Sequence, residues 1–212
     1  MNKPMISALM LTKNRFKLFK QAVNDFVNQT HNNKELIIVN NGSIWYKFRV
    51  DRFIKGINAN IKHIKIPRMT LGEMRNIGIN NCSGEFIMIF DDDDVHHSER
   101  MEQQLDIILK SNVDATLLSN FTASIATGRY LCHAEDGLEG TILFKHPKGI
   151  VYYPKIDQGE DTKFKRMLKH HGYIIITLNL DHDLYEYRFH GKNTVSLNHF
   201  YNMVDRTSFK SN

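Results

Sequence analysis

Four consecutive aspartates, Asp91–Asp94, follow directly on the apolar run Phe86–Phe90. Adjacent carboxylates repel one another, and each prefers a proton at neutral pH unless a cation relieves the charge. The apolar run predicts a strand buried on both faces of a parallel sheet. The acids then stand at its carboxyl end, where open α/β sheets bind ligands. Alternate side chains on extended backbone point the same way, so Asp91 and Asp93 face one side together as hard oxygen ligands for Mg²⁺ or Mn²⁺. A solvated acidic turn is the plain alternative. An ion held by one or two protein carboxylates completes its shell with substrate phosphates and water. That chemistry points to a nucleotide-linked substrate and a leaving diphosphate.

Other polar residues fall at predicted strand ends. Thr12, Asn14 and Arg15 follow the run Ile6–Leu11, and Asn40 and Asn41 follow Glu35–Val39. Amide and guanidinium groups at such an edge suit a base, a ribose or a phosphate, although Asn-Gly turns also form without any ligand. Arg75 stands to reach the diphosphate or to brace the acidic turn, with a structural salt bridge to Glu73 or a neighbouring acid as its rival. Glu160 and Asp161 open a helix after Gly159, where the macrodipole favours acids. A carboxylate kept ionised there can accept a proton from a hydroxyl. Among eleven histidines, His190 is the best third ligand. His96-His97 reads as a solvated turn, and His170-His171 as a favourable helix end. The chain has no Walker loop, no Gly-x-Gly-x-x-Gly and no Gly-x-Ser-x-Gly, which weakens kinase, dehydrogenase and hydrolase readings.

The elements that must position these groups follow from periodicity. A strand over Ile6–Leu11, an amphipathic helix over Phe16–Gln29 with Leu18, Phe19, Ala22, Val23, Phe26 and Val27 on its apolar side, and a strand over Glu35–Val39 form a βαβ unit. A weaker helix around Trp45, Phe48, Val50 and Phe53-Ile54 precedes a partly exposed strand over Ile61–Ile66. Thr70 and Glu73 have capping-box spacing at the start of the next helix. Ser98 is expected to cap a helix whose apolar stripe is Met101, Leu105, Ile108 and Leu109. Beyond Leu118 the pattern loosens, with strands expected over Thr122–His133 and Gly140–Phe144. A helix over Glu160–His171 turns Phe164, Met167 and Leu168 inward, and strands follow over Tyr173–Leu178 and Leu184–His190.

At 212 residues the length suits one domain, 1–212, with a nucleotide-binding half (1–95) and an acceptor-side half (96–212). The two cysteines, Cys82 and Cys132, show neither metal spacing nor a disulfide framework, as expected in a reducing compartment. No apolar run is long enough to span a bilayer, and the start lacks a signal-peptide core; the expected location is cytoplasmic. A net charge of +5 and a pI near 9.1 fit a polyanionic partner, an anionic membrane or a phosphate-bearing substrate.

Taken together, the pieces resemble the family 2 glycosyltransferases of GT-A fold. Ser7–Arg15 with Glu35–Ser43 is similar to the family's nucleotide-binding start. Arg75–Gly78 before Gly84–Phe86 resembles the segment preceding its metal strand, and Phe90–Asp94 its Asp-x-Asp motif. Gly159–Asp161 is similar to its Glu-Asp motif, and His190–Thr194 to a segment near the end of its catalytic domain. The resemblance implies a Rossmann-like, mostly parallel central sheet flanked by helices, with a smaller antiparallel acceptor-side region. It implies a nucleotide-sugar donor, most often UDP-linked, and Mn²⁺ or Mg²⁺. Asp93 would be the main metal ligand, with Asp91 and His190 as further contacts. Thr12, Asn14, Arg15, Asn40, Arg75, Asp91 and Asp92 would bind the donor, and Asp161 would be the general base of an inverting displacement. Family members commonly carry a carboxylate where Asn40 stands, which opens the question of selectivity for UDP.

The acceptor is left open among a glycan, a lipid-linked sugar, a protein side chain and a modified nucleic-acid base such as one in DNA. A nucleotidyltransferase acting on a sugar phosphate and a non-catalytic sugar-nucleotide or glycan-binding module are the alternatives.

Overall fold

The computed structural model describes residues 3–191 and 193. Strands β1 (Ile6–Thr12), β2 (Lys34–Asn40), β3 (Ile61–Lys65) and β4 (Phe86–Ile89) form a parallel array, with β3 outermost and β1 pairing both β2 and β4. Strands β1 and β4 are buried along their whole length, and β2 along nearly all of it. Their alternating side chains divide between two cores. Ile6, Ala8, Met10, Leu36, Ile38, Phe86 and Met88 pack on one face against α1 (Phe16–Val27), α2 (Ile44–Ile54) and α4 (Arg100–Ser111). Leu9, Leu11, Ile37, Val39, Ile87 and Ile89 pack on the other against α3 (Leu71–Ile79) and α5 (Glu160–His170). Continuous apolar runs therefore become central strands because both faces are covered.

After β4 the short strand β5 (Val95–His96) leads into α4, and the long strands β6 (Ala115–Ile125) and β7 (Gly128–Lys145) form an antiparallel pair. Strand β7 returns to pair antiparallel with β4 and so joins this region to the parallel array. Strands β8 (Ile175–Leu178) and β9 (Tyr185–Arg188) run parallel to successive parts of β6, and β9 also pairs with β5. The expected α/β architecture is present, mostly parallel with a smaller antiparallel region. The expected strand over Thr122–His133 is instead the end of β6, a turn and the start of β7.

Several local expectations change. Thr70 and Glu73 do form the capping box of α3. Ser98, by contrast, caps nothing with its side chain, and α4 begins after Glu99 with no side-chain cap. The Ser98 carbonyl instead accepts from Thr30 N at 2.8 Å. Val27, Leu109 and Met167 are exposed rather than inward, because each sits at the margin of its helix's apolar stripe. Trp45 and Phe48 also face outward; Tyr46 and Val50 supply the buried side of α2. His96 is buried rather than solvated, with its ring stacked on Phe90 at a centroid distance of 3.6 Å. No helix among the described residues is long and apolar enough to cross a membrane.

Candidate active site

The carboxyl ends of β1 and β4 and the amino end of α5 converge on a cleft of about 550 Å³ lined by Arg15, Arg75, Asp91, Asp93, Glu160 and Asp161, among others. Strand β4 stops because the chain must turn where four acids follow. The first turn of α3 packs close beneath the far wall: Gly72 N donates to Ile156 O at 3.1 Å, and a Cβ on Gly72 would meet Pro154 O. Gly159 then starts α5 with φ +71°, a left-handed turn that suits glycine and swings Glu160 and Asp161 into the cleft.

Each aspartate of the turn has a different answer to its charge. Arg75 Nη2 donates to both Asp91 oxygens, at 2.8 and 3.1 Å. Arg15 bridges two neighbours, with Nη2 2.5 Å from Asp92 Oδ1 and Nη1 on Asp93 Oδ2. His190 Nε2 donates to the same Asp93 oxygen at 3.0 Å. Asp92 also accepts from Thr12 Oγ1 at 2.5 Å. Asp94 accepts from the Tyr185 hydroxyl and, at 3.1 Å, from Arg188 N.

These partners decide where protons reside. Burial pushes Asp93 up, but the His190 hydrogen bond and the Arg15 charge outweigh it and hold the carboxyl below its ordinary value. Burial pushes Asp92 up to about 8 against the pull of Arg15. Burial and the charges of Asp93 and Asp91 push Asp94 well up. The turn thus holds Asp93 ionised at the cleft, while burial favours the protonated form of Asp92 beneath it and of Asp94 beside it.

The backbone of the turn is fixed from below. Arg100, fully buried, donates from Nη1 to His96 Nδ1 at 2.5 Å and from Nη2 to Ile89 O at 3.2 Å. An arginine offers no acceptor, so His96 must keep its proton on Nε2, which donates to Asp91 O at 3.0 Å. Burial followed by the charge of Arg100 drives the His96 imidazole well down, toward this neutral form.

On the opposite wall, Arg75 Nε lies 3.9 Å from Asp161 Oδ1, too far for a hydrogen bond. Among the described residues, Arg75 Nε, Arg75 Nη1 and Asp161 Oδ1 are buried polar atoms without a hydrogen-bond partner. Such atoms are costly unless a ligand or water meets them. Burial raises the Asp161 carboxyl, with Arg75 opposing and Asp91 and Glu139 adding to the rise. Burial and the charge of Asp161 push Glu160 up to about 7.

The sequence profile described as "Glycosyl transferase family 2" matches residues 7–210. This chain belongs to glycosyl transferase family 2. An uncharacterised glycosyltransferase of Haemophilus influenzae is 30% identical over 123 residues, covering 55% of this chain and 47% of that protein. Glycosyltransferase GlyA of Streptococcus pneumoniae is 26% identical over 151 residues, covering 71% of this chain and 20% of that protein. Among solved structures, S. aureus TarS 1–349 in complex with UDP-GlcNAc superposes with a TM-score of 0.76 at 17% identity, covering 90% of this chain and 60% of that one. A mannosyltransferase from Pyrobaculum calidifontis in complex with GDP-Man and Mn²⁺ superposes with a TM-score of 0.66 at 15% identity, covering 84% and 55%. The chain thus spans less than two thirds of each of these relatives, and the fold it shares with them is GT-A.

For this family 2 chain, the site residues separate into two groups. Arg15, Arg75, Asp91, Asp93 and Asp161 line the cleft, and His190 reaches it through Asp93. Thr12, Asn40 and Asp92 are buried and do not line it. Asn40 Oδ1 accepts from Gly42 N at 2.9 Å, and its amide meets His63 Nε2 at 3.1 Å. Asn14, with φ +54°, accepts from Ser43 N at 2.9 Å and so ties the β1 and β2 turns together. Lys192 and Thr194 of the expected terminal segment lie outside the described residues.

Among the described residues no group of three or more His, Cys, Asp or Glu is arranged to hold a metal ion. Asp93 and His190 nevertheless meet at 3.0 Å on the cleft floor. One carboxylate and one imidazole fit a divalent ion that takes its remaining ligands from phosphate and water. Sequence reasoning missed Tyr185 and Tyr187, which also line the cleft, and Glu139, whose carboxylate holds Lys165 at 2.7 Å. The i, i+2 spacing of the tyrosines on one strand was the available signal.

Proposed function

We propose that this chain is a metal-dependent, inverting glycosyltransferase that moves a sugar from a nucleotide-sugar donor, UDP-linked by preference, to an acceptor hydroxyl. The observation that carries the reading is the set of unpartnered polar atoms on Arg75 and Asp161, two residues that line the same cleft as the acidic floor. A donor and acceptor bound in the cleft would offer these atoms partners.

In this reading Arg15 and Arg75 orient the diphosphate, because a guanidinium presents several donors to phosphate oxygens. Asp93 and His190, with Asp91 beside them, would hold Mn²⁺ or Mg²⁺, which when bound supplies positive charge to the leaving diphosphate. Thr12, Asn40, Asp92 and Asn14 hold the backbone on which those residues stand. Asp161 takes the proton of the acceptor hydroxyl as its oxygen attacks the anomeric carbon. The bond from that carbon to the phosphate oxygen breaks, and the nucleoside diphosphate leaves with the electron pair. Raised by its burial, Asp161 is a stronger base than an ordinary aspartate, which suits this task.

Product analysis tests the reading. Incubation with UDP-sugars and Mn²⁺ should release UDP from the wild type, while Asp161→Asn binds donor and releases none. Pyrophosphate release would establish nucleotidyl transfer instead, and turnover retained by Asp161→Asn would reassign the base.

A further inference from the structure

Helix α2 has two faces, and only the inner one is explained by the fold. Tyr46 and Val50 are buried, and Phe53 and Ile54 pack against the same core. At about 100° per residue, Ile44, Trp45 and Phe48 fall together on the outer face, followed along it by Arg49, Arg52 and Lys55. Ile44 is 83% exposed, Trp45 79% and Phe48 59%. Single exposed apolar residues are ordinary, whereas large ones clustered on one turn mark an interaction surface.

The charge around this cluster has one sign. Between Ile44 and Arg68 the chain has seven Lys or Arg and a single acid, Asp51. That acid is already engaged, with His63 at 2.7 Å and Lys65 at 2.5 Å. The outer strand β3 continues the field with exposed Lys62 and Lys65. No residue of α2 lines the cleft, so sugar transfer does not account for this face.

We propose that the outer face of α2 docks on an anionic lipid surface. Ile44, Trp45 and Phe48 enter the boundary between headgroups and acyl chains, while Arg52, Lys55 and Lys62 engage the anionic headgroups. Tryptophan suits that boundary, because its ring is apolar and its N–H can stay hydrated. A nucleic acid would answer the cations but leave Ile44 and Phe48 in water. A lipid surface answers both. The proposal is independent of the sugar-transfer reading.

Trp45 is the only tryptophan in the chain, so its emission reports on this face alone. Vesicles of phosphatidylcholine with phosphatidylglycerol should shift the emission to the blue, and brominated acyl chains should quench it. Vesicles of phosphatidylcholine alone should do neither, and added salt should weaken binding. Replacing both Ile44→Ser and Phe48→Ser should abolish the shift with the melting temperature unchanged. Reversing Arg52→Glu and Lys55→Glu should weaken binding by about fivefold or more per charge. The charge-reversal pair touches no buried residue and keeps the test valid if the serine pair melts early. The proposal is overturned by the absence of a shift with anionic vesicles, or by binding that the serine pair leaves unchanged. A shift produced by duplex DNA but not by vesicles would assign the face to nucleic acid. An emission already blue without vesicles would show that the face is covered by the chain itself or by a second copy.

Discussion

The cleft has an acidic floor and an acidic wall, and the two treat their charge differently. On the floor, Asp91 is met by Arg75 Nη2, and Asp93 by Arg15 and His190. Those contacts hold Asp93 below its ordinary value, while burial drives Asp92 and Asp94 up. On the wall, Asp161 has Arg75 only at 3.9 Å, and burial raises both it and Glu160. Floor and wall thus divide the labour. Arg15 and His190 hold the floor's Asp93 ionised, whereas burial favours the protonated form of both wall carboxylates.

The largest effect should follow from removing Asp161, the base proposed on the wall. Asp161→Asn is expected to lower turnover by up to about 10⁴-fold with donor affinity within a factor of about two in calorimetry, as befits an interaction made only in the transition state. The wild-type rate should fall with decreasing pH as Asp161 takes its proton. Because burial raises that carboxyl, the acid limb should lie above the ordinary aspartate value of about 3.9. A limb at or below that value would break the contrast.

Breaking the floor should act on binding as well as rate. Asp93→Ala is expected to cost about 10²–10³-fold in turnover and to remove the dependence of UDP binding on Mn²⁺, measured by titration with and without EDTA. Arg75 belongs to both regions. Arg75→Lys keeps the charge but loses the planar guanidinium that reaches Asp91 through Nη2 with Nε beside Asp161, and should cost about 10- to 100-fold in kcat/KM. A loss of less than about twofold would show that charge alone suffices.

The smallest effect sharpens the wall. Glu160 has a folded value of about 7 against 4.5 ordinarily, so the folded state binds its proton more tightly and ionisation opposes folding. The penalty is absent below about pH 4, grows through the window between the two values, and is full above about pH 7. Glu160→Gln should therefore raise the melting temperature by about 2–4 °C at high pH for each kcal/mol relieved, and leave it unchanged at low pH. Differential scanning at both ends checks the sign.

The parallel half and the acidic turn were legible because buried strands write themselves as apolar runs and their loops as polar clusters. The Glu160-Asp161 helix start was legible for the same reason. His96 was not, because a His-His pair beside acids and Ser98 looks solvated; its burial depends on Arg100 from the next helix and on the Phe90 ring. The match of Tyr185 with Asp94 spans 91 positions, beyond any local pattern. The contacts of Asn40 with His63 and Gly42 were not legible either, because the His63 contact exists only once β2 and β3 pair. The β6–β7 hairpin was blurred because its small and hydroxyl-bearing residues, among them Thr116, Ser119 and Thr122, are buried and disguise a core strand as a loop.

Isothermal titration of UDP into wild type and Asp93→Ala, each with and without Mn²⁺, decides whether the acidic floor holds a metal against the diphosphate. Mn²⁺ should tighten binding in the wild type and make no difference once Asp93 is gone. Equal affinity across all four titrations would contradict it, because the floor's matched carboxylates would then have no part in holding the diphosphate.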